Sequence, residues 1–230
     1  MDISQKHKII SLYLKAVVII SAVVGVILSA VAAKGIFMGG GRVFMYFTIQ
    51  SNIAVALVEL IGFMIILHNK SVGNAWFIIT LVSTVSITLT GAVFTFILAP
   101  TLGSLAWNAQ NVLTHVVVPV VAVADFFVTG IYGEIKKRHV FFVVLPPFVY
   151  AIYAGVGYVL GWEFSEGANY PYFFLNWGSP AGAFGFSNEL PFMGCVWWII
   201  ALLALLLAVG FGYLALIEKI KKKRQQAKLK

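Results

Sequence analysis

The chain has 230 residues, of which 61% are hydrophobic and only 10% are charged. A soluble domain carries roughly 25% charged residues, so lipid is expected to be the solvent for most of this chain, as one helical domain without a soluble appendage. The net charge of +8 does not argue for nucleic acid: seven of the sixteen Lys and Arg residues lie from Lys219 onward, within EKIKKKRQQAKLK. A basic tail after a membrane helix meets anionic lipid headgroups. The one cysteine, Cys195, excludes an internal disulfide and a cysteine-built metal site, and neither metal nor cofactor is expected.

A membrane-spanning helix needs ~20 mostly apolar residues. Six segments qualify, at 9–33, 44–67, 75–98, 112–131, 140–161 and 191–217. The expected fold class is all-α: a six-helix transmembrane bundle over 1–218, followed by a basic tail over 219–230. The first span ends at Lys34 rather than at a small-residue cleavage site, so it reads as a span and not as a signal peptide. Gly39, Gly40 and Gly41 are expected to form a flexible turn before the second span. That span carries Thr48, Gln50, Ser51, Asn52 and Glu59. The third carries only hydroxyl residues, among them Ser83, Ser86, Thr88 and Thr90, which pack well between membrane helices. The fourth holds Asn111, Thr114, His115 and Asp125. Pro146 and Pro147 are expected to kink the fifth. The long break at 162–190 is unusually aromatic, and reads either as an interfacial belt or as a lid over a cavity.

Lys and Arg set the direction. Lys6, Lys8, Lys70, Lys136, Lys137, Arg138 and the tail all fall on one side if the spans alternate, against Lys34 and Arg42 on the other. The basic side, with both termini, is therefore expected to be cytoplasmic in a multi-pass protein of the cell membrane.

Ionisable residues inside spans are costly, and so are functional candidates. Thr48, Asn52 and Glu59 are spaced to share one helix face, as are Asn111 and His115, with Asp125 at the edge of that face. The second and fourth spans run in the same direction. Glu59 and Asp125 then lie roughly 15 Å deeper than Thr48 and His115. Two layers are expected. The inner one is a carboxylate layer in which Lys15 joins Glu59 and Asp125 and ties three helices together. Alternatively, one acid stays protonated, because adjacent carboxylates in a low dielectric cannot both ionise cheaply. Its role is either structural or that of a proton relay.

The outer layer has the parts of a nucleophilic site. A threonine hydroxyl needs a base, and His115 is the one histidine within a span. Asn52, Gln50 or Asn111 could donate hydrogen bonds to a developing oxyanion. The plainer reading is a set of interhelical hydrogen bonds.

Three stretches carry a family resemblance: FMYFTIQSN at the second span, WNAQNVLTHVVVP at the fourth, and Tyr170–Pro171 in NYPYFFLNW. In these the chain resembles a bacterial group of six-span membrane proteins and, more distantly, the animal androgen-induced and androgen-dependent membrane hydrolases. The resemblance implies a membrane threonine hydrolase of fatty acid esters of hydroxy fatty acids, with its threonine at Thr48 and its histidine at His115. Ser51 stands where animal members carry Asp or Asn, and the amide follows at Asn52. The expected function is thus an intramembrane hydrolase of a lipid-like acyl ester. The alternatives are a transporter or small-molecule binder, which needs a polar path joining the two layers, and a structural protein, which needs tight packing around Thr48.

Overall fold

A computed structural model describes residues 3–32 and 40–228. Lys34 and Gly39, which entered the charge count and the expected turn, lie outside the described residues. The described chain is helical without a β-strand. Six helices are each long and apolar enough to cross a membrane: α1 Gln5–Val31, α2 Phe47–Leu67, α3 Asn74–Ala106, α4 Ala109–Tyr132, α5 Lys137–Val159 and α6 Cys195–Gln226. This marks a multi-pass membrane protein.

The differences from the expected spans have local causes. Gly40 and Gly41 open a 3₁₀ helix, Gly40–Met45, that leads into α2. The third span was expected to end at 98, but α3 continues to Ala106. Its last turns pass Pro100 through a widened π-helical turn, Phe94–Leu98. Proline has no N–H to donate four residues back, and a wider turn tolerates that gap. α4 starts at Ala109, three residues before the expected 112, because the Asn108 side chain accepts the Asn111 N–H at 2.9 Å and caps the helix. At the other end of the chain α6 runs past 217, so the basic stretch from Lys219 continues it as helix.

α1 packs against α2 and α4, and α3 against both α2 and α4. The main apolar core joins α3, α5 and α6 through Leu81, Val85, Val143, Tyr150, Leu206 and Ile217. One end of the bundle gathers the basic segments. There Tyr132 meets Ser4, His7 and Arg224, Lys8 bonds Asn69, and Lys221 donates to the Gly133 carbonyl. At the opposite end the 162–190 break folds back onto the bundle. Phe164, Phe174 and Leu175 are buried in it, Tyr46 donates to the Phe164 carbonyl at 3.1 Å, and Arg42 pairs with Glu163. The break therefore covers α2, as a lid would. Cys195 is a free, buried thiol.

Candidate active site

Thr48 and His115 meet beneath this break. Thr48 sits in the first turn of α2, and His115 in a second π-helical turn, Leu113–Val117, of α4. Pro119 explains that turn, since it cannot donate to the carbonyl of His115. Thr48 Oγ1 is 3.3 Å from His115 Nε2, and both residues are buried.

The backbone assigns the tautomer. His115 Nδ1 lies 3.0 Å from the Asn111 carbonyl oxygen, which can only accept. It also lies 3.0 Å from Thr114 Oγ1, whose own proton goes to the Gln110 carbonyl at 2.8 Å. Nδ1 must therefore carry the hydrogen, which leaves Nε2 as a lone pair facing the Thr48 hydroxyl. Phe94 stacks on the imidazole, centroids 3.9 Å apart, and fixes its plane. This is the geometry of a nucleophile, a base and an orienting group, with a main-chain carbonyl orienting the base.

The three candidate amides differ in how their donors are engaged. Asn52 donates to the main-chain carbonyls of Thr48 and Thr114, at 2.8 and 3.2 Å; the first bond stays within α2 and the second braces α2 against α4. The Asn111 side chain donates to the Ala106 carbonyl at 2.9 Å, and the residue acts on His115 through its backbone oxygen. Gln50 is exposed on the far side of α2, where it donates to the Phe44 carbonyl at 3.0 Å. Asn52 has both its N–H groups engaged, whereas Asn111, which lines the larger cavity beside Thr48, uses only one of its two. Ser51 bonds Thr90 at 2.8 Å and ties α2 to α3.

The donor that the sequence reading missed is Tyr172. Its hydroxyl accepts the Thr48 N–H at 3.3 Å and lies 3.4 Å from Thr48 Oγ1. Burial holds this phenol above its ordinary value, so it stays protonated and keeps a hydrogen to donate. The Thr48 N–H is one of the amides of the α2 N-terminus that have no partner within the helix, and there the helix dipole favours negative charge. The one signal in the sequence was its place beside Tyr170–Pro171; among so many aromatics it read as part of a belt.

Two cavities share Thr48, Leu98 and Tyr172 as their common wall. One, of about 260 Å³, lies under the 162–190 break and is lined also by Tyr46, Asn111 and His115. The other, of about 60 Å³, is an apolar slot between Leu89, Val93, Pro147, Tyr150 and Leu202. The packing beside Thr48 is therefore not tight, as a purely structural role would require.

Lys15, Glu59 and Asp125 also come together. Lys15 Nζ lies 2.5 Å from Glu59 Oε2 and 2.7 Å from Asp125 Oδ2. Between this inner cluster and Thr48 lies a dry plug of Val18, Ala22, Val55, Ile87, Val118 and Ala122. A transporter needs a polar path through that plug. Val121 packs on this plug, whereas Ile53 and Ala54 of α2 are exposed and lie outside it.

Gly91 sets how closely α3 approaches the His115 turn. A Cβ there would stand 2.8 Å from the His115 carbonyl oxygen and 3.1 Å from the Pro119 ring. Gly91→Ala is expected to cost roughly 1–3 kcal/mol through this overpacking, measured as a fall in thermal unfolding temperature. An unchanged or raised unfolding temperature would show that α3 can yield at this point.

Among the described residues no group of His, Cys, Asp or Glu is placed to hold a metal. No protein-family model, curated protein or solved structure matches the chain.

Proposed function

We propose that the protein is an intramembrane hydrolase of lipid-like acyl esters. The observation that carries this reading is the Thr48–His115 pair. The hydroxyl faces an imidazole nitrogen that the Asn111 carbonyl keeps unprotonated, on the wall shared by two cavities. His115 Nε2 takes the Thr48 proton as Oγ1 bonds to the ester carbonyl carbon. The resulting oxyanion receives the Tyr172 hydrogen bond. His115 then returns the proton to the leaving alkoxide, and an acyl-threonine remains. Water attacks that ester, His115 accepts its proton, and Thr48 is restored as the acid leaves. The apolar slot suits a hydrocarbon chain, and the larger cavity suits the leaving group and water.

The reading agrees with the resemblance to the androgen-induced and androgen-dependent membrane hydrolases at Thr48 and His115. It places the basic end of the bundle in the cytoplasm, by the distribution of Lys and Arg, and opens the Thr48 cavities toward the outer leaflet. The basic end of α6 then lies against anionic headgroups. The dry plug speaks against the transporter reading.

A fluorophosphonate probe for serine and threonine hydrolases tests the reading on the purified protein. Intact-mass measurement should find one adduct on the wild type, mapped to Thr48. No adduct, or an adduct mapped elsewhere, would overturn it. Tyr172→Phe keeps the aromatic packing and removes the hydroxyl. It is expected to lower ester turnover by ~10²-fold, with the unfolding temperature little changed. Unaltered turnover would remove Tyr172 from the site.

A further inference from the structure

The inner cluster has unbalanced charges. Lys15, Glu59 and Asp125 are 3%, 4% and 1% exposed, and Ser11 is fully buried beside them. One ammonium and two carboxylates sum to −1, and an unpaired charge in a low dielectric is too costly to persist. Among the described residues nothing nearby supplies the missing positive charge. α1 contributes Lys15 and Ser11, α2 contributes Glu59, and α4 contributes Asp125. Trp76, Phe77 and Thr80 of α3 and Thr129 of α4 line the space next to Lys15 and carry no charge. That space measures about 10 Å³. It is at the lower limit for one water molecule and too small for a hydrated ion. A Cβ on Gly62 would come within 2.9 Å of Lys15 Nζ, so even a methyl group there would crowd the cluster.

The oxygens show where a positive charge fits. Lys15 donates to Glu59 Oε2 and Asp125 Oδ2, and Ser11 donates to Asp125 Oδ1 at 2.5 Å. Glu59 Oε1 receives no donor among the described residues, and the two carboxyl groups converge on the same Lys15 Nζ, at 2.5 and 2.7 Å. We propose that the cluster is a binding site for a single proton, shared between the carboxyls of Glu59 and Asp125, with Lys15 charged and the whole neutral.

Polar residues continue from the site toward the basic end of the bundle. His7, Ser11 and Lys15 follow one another on one face of α1, and His7 Nδ1 lies 2.9 Å from the Tyr132 hydroxyl and from Arg224 at the basic end. Toward Thr48 the path is closed by the plug of Val18, Val55, Ile87 and Val118. The proton is thus exchanged with the basic end and is not relayed to His115.

Infrared spectroscopy of the full chain in an ester-free detergent tests this without reference to any enzyme activity. Of the other six acids, Glu134, Glu163, Glu166, Glu189 and Glu218 lie outside the inner cluster, and Asp2 is outside the described residues. At neutral pH the wild type should show one protonated-carboxyl C=O band, and the band should shift when the Asp and Glu carboxyls are labelled with carbon-13. Glu59→Gln and Asp125→Asn each leave one carboxylate against Lys15, so each should abolish the band. Lys15→Met removes the cation and should double it. His7→Leu should leave its size unchanged and slow its deuterium shift in heavy water. No labelled band in the wild type, or a band that survives both amide variants, would overturn the site; an unchanged exchange rate in His7→Leu would overturn the route. The wild-type labelled spectrum decides the first point even where a variant fails to fold.

Discussion

Thr48→Ala is expected to abolish the probe adduct and to lower ester turnover by ~10⁴-fold or more, as loss of a nucleophile does in other hydrolases. The change removes only a hydroxyl and a methyl group, and the main-chain carbonyl of residue 48 still accepts from Asn52 and Ser51, so the fold should hold. Thr48→Ser keeps the hydroxyl and should retain part of the turnover. His115→Gln should cause a loss of similar size, since nucleophile and base act as one unit and their losses do not add. A double variant no worse than either single one would show that unit directly. Thr48→Ala turnover near that of the wild type, with the adduct still present, would remove Thr48 as the nucleophile. The pair would then remain an interhelical hydrogen bond worth ~0.6 kcal/mol.

The largest stability effect is expected at Lys15. Lys15→Met leaves Glu59 and Asp125 buried without a cation, and breaking a buried ion pair from one side costs roughly 3–5 kcal/mol. Lys15 donates to residues of two other helices, so the loss loosens α1 from both α2 and α4. The penalty should shrink as the pH falls, because solution then supplies the second proton that the two acids need. Replacing all three residues by apolar ones of similar volume should be much less harmful than the single change, since no charge is left to desolvate. Thermal unfolding of the single and triple variants across pH separates these outcomes. A Lys15→Met protein as stable as the wild type would show that the cluster does not hold the bundle.

The inner cluster also bears on the outer site. Thr48 and Glu59 are on one helix, His115 and Asp125 on another, and Lys15 clamps both. Asn52 repeats the clamp one turn below Thr48. The separation of 3.3 Å between Thr48 and His115 is therefore held from below by residues that do not touch the larger cavity.

The six apolar stretches were legible because a bilayer imposes one simple requirement, a run of apolar residues long enough to cross it. The pairing of Thr48 with His115 and of Lys15 with Glu59 and Asp125 was legible for a related reason. A polar group in a span must face another, and helical rise converts sequence spacing into depth. The boundaries near Pro100 and Asn108 were not legible, since they depend on a widened turn and a side-chain cap. The amide roles were not legible either. Spacing places Asn52 and Asn111 near the site but does not reveal which carbonyl each one meets. Tyr172 reaches Thr48 from a break more than a hundred residues away in sequence, folded back over the end of α2. No periodicity encodes that distance, and only the tertiary packing of the break decides it. Sequence alone determined the six spans and the order of the polar residues along them, because lipid and helix geometry leave few alternatives. The tertiary structure alone decided the tautomer of His115, the donor beside Thr48 and the dry plug between the layers, because each depends on atoms brought together from separate helices and loops.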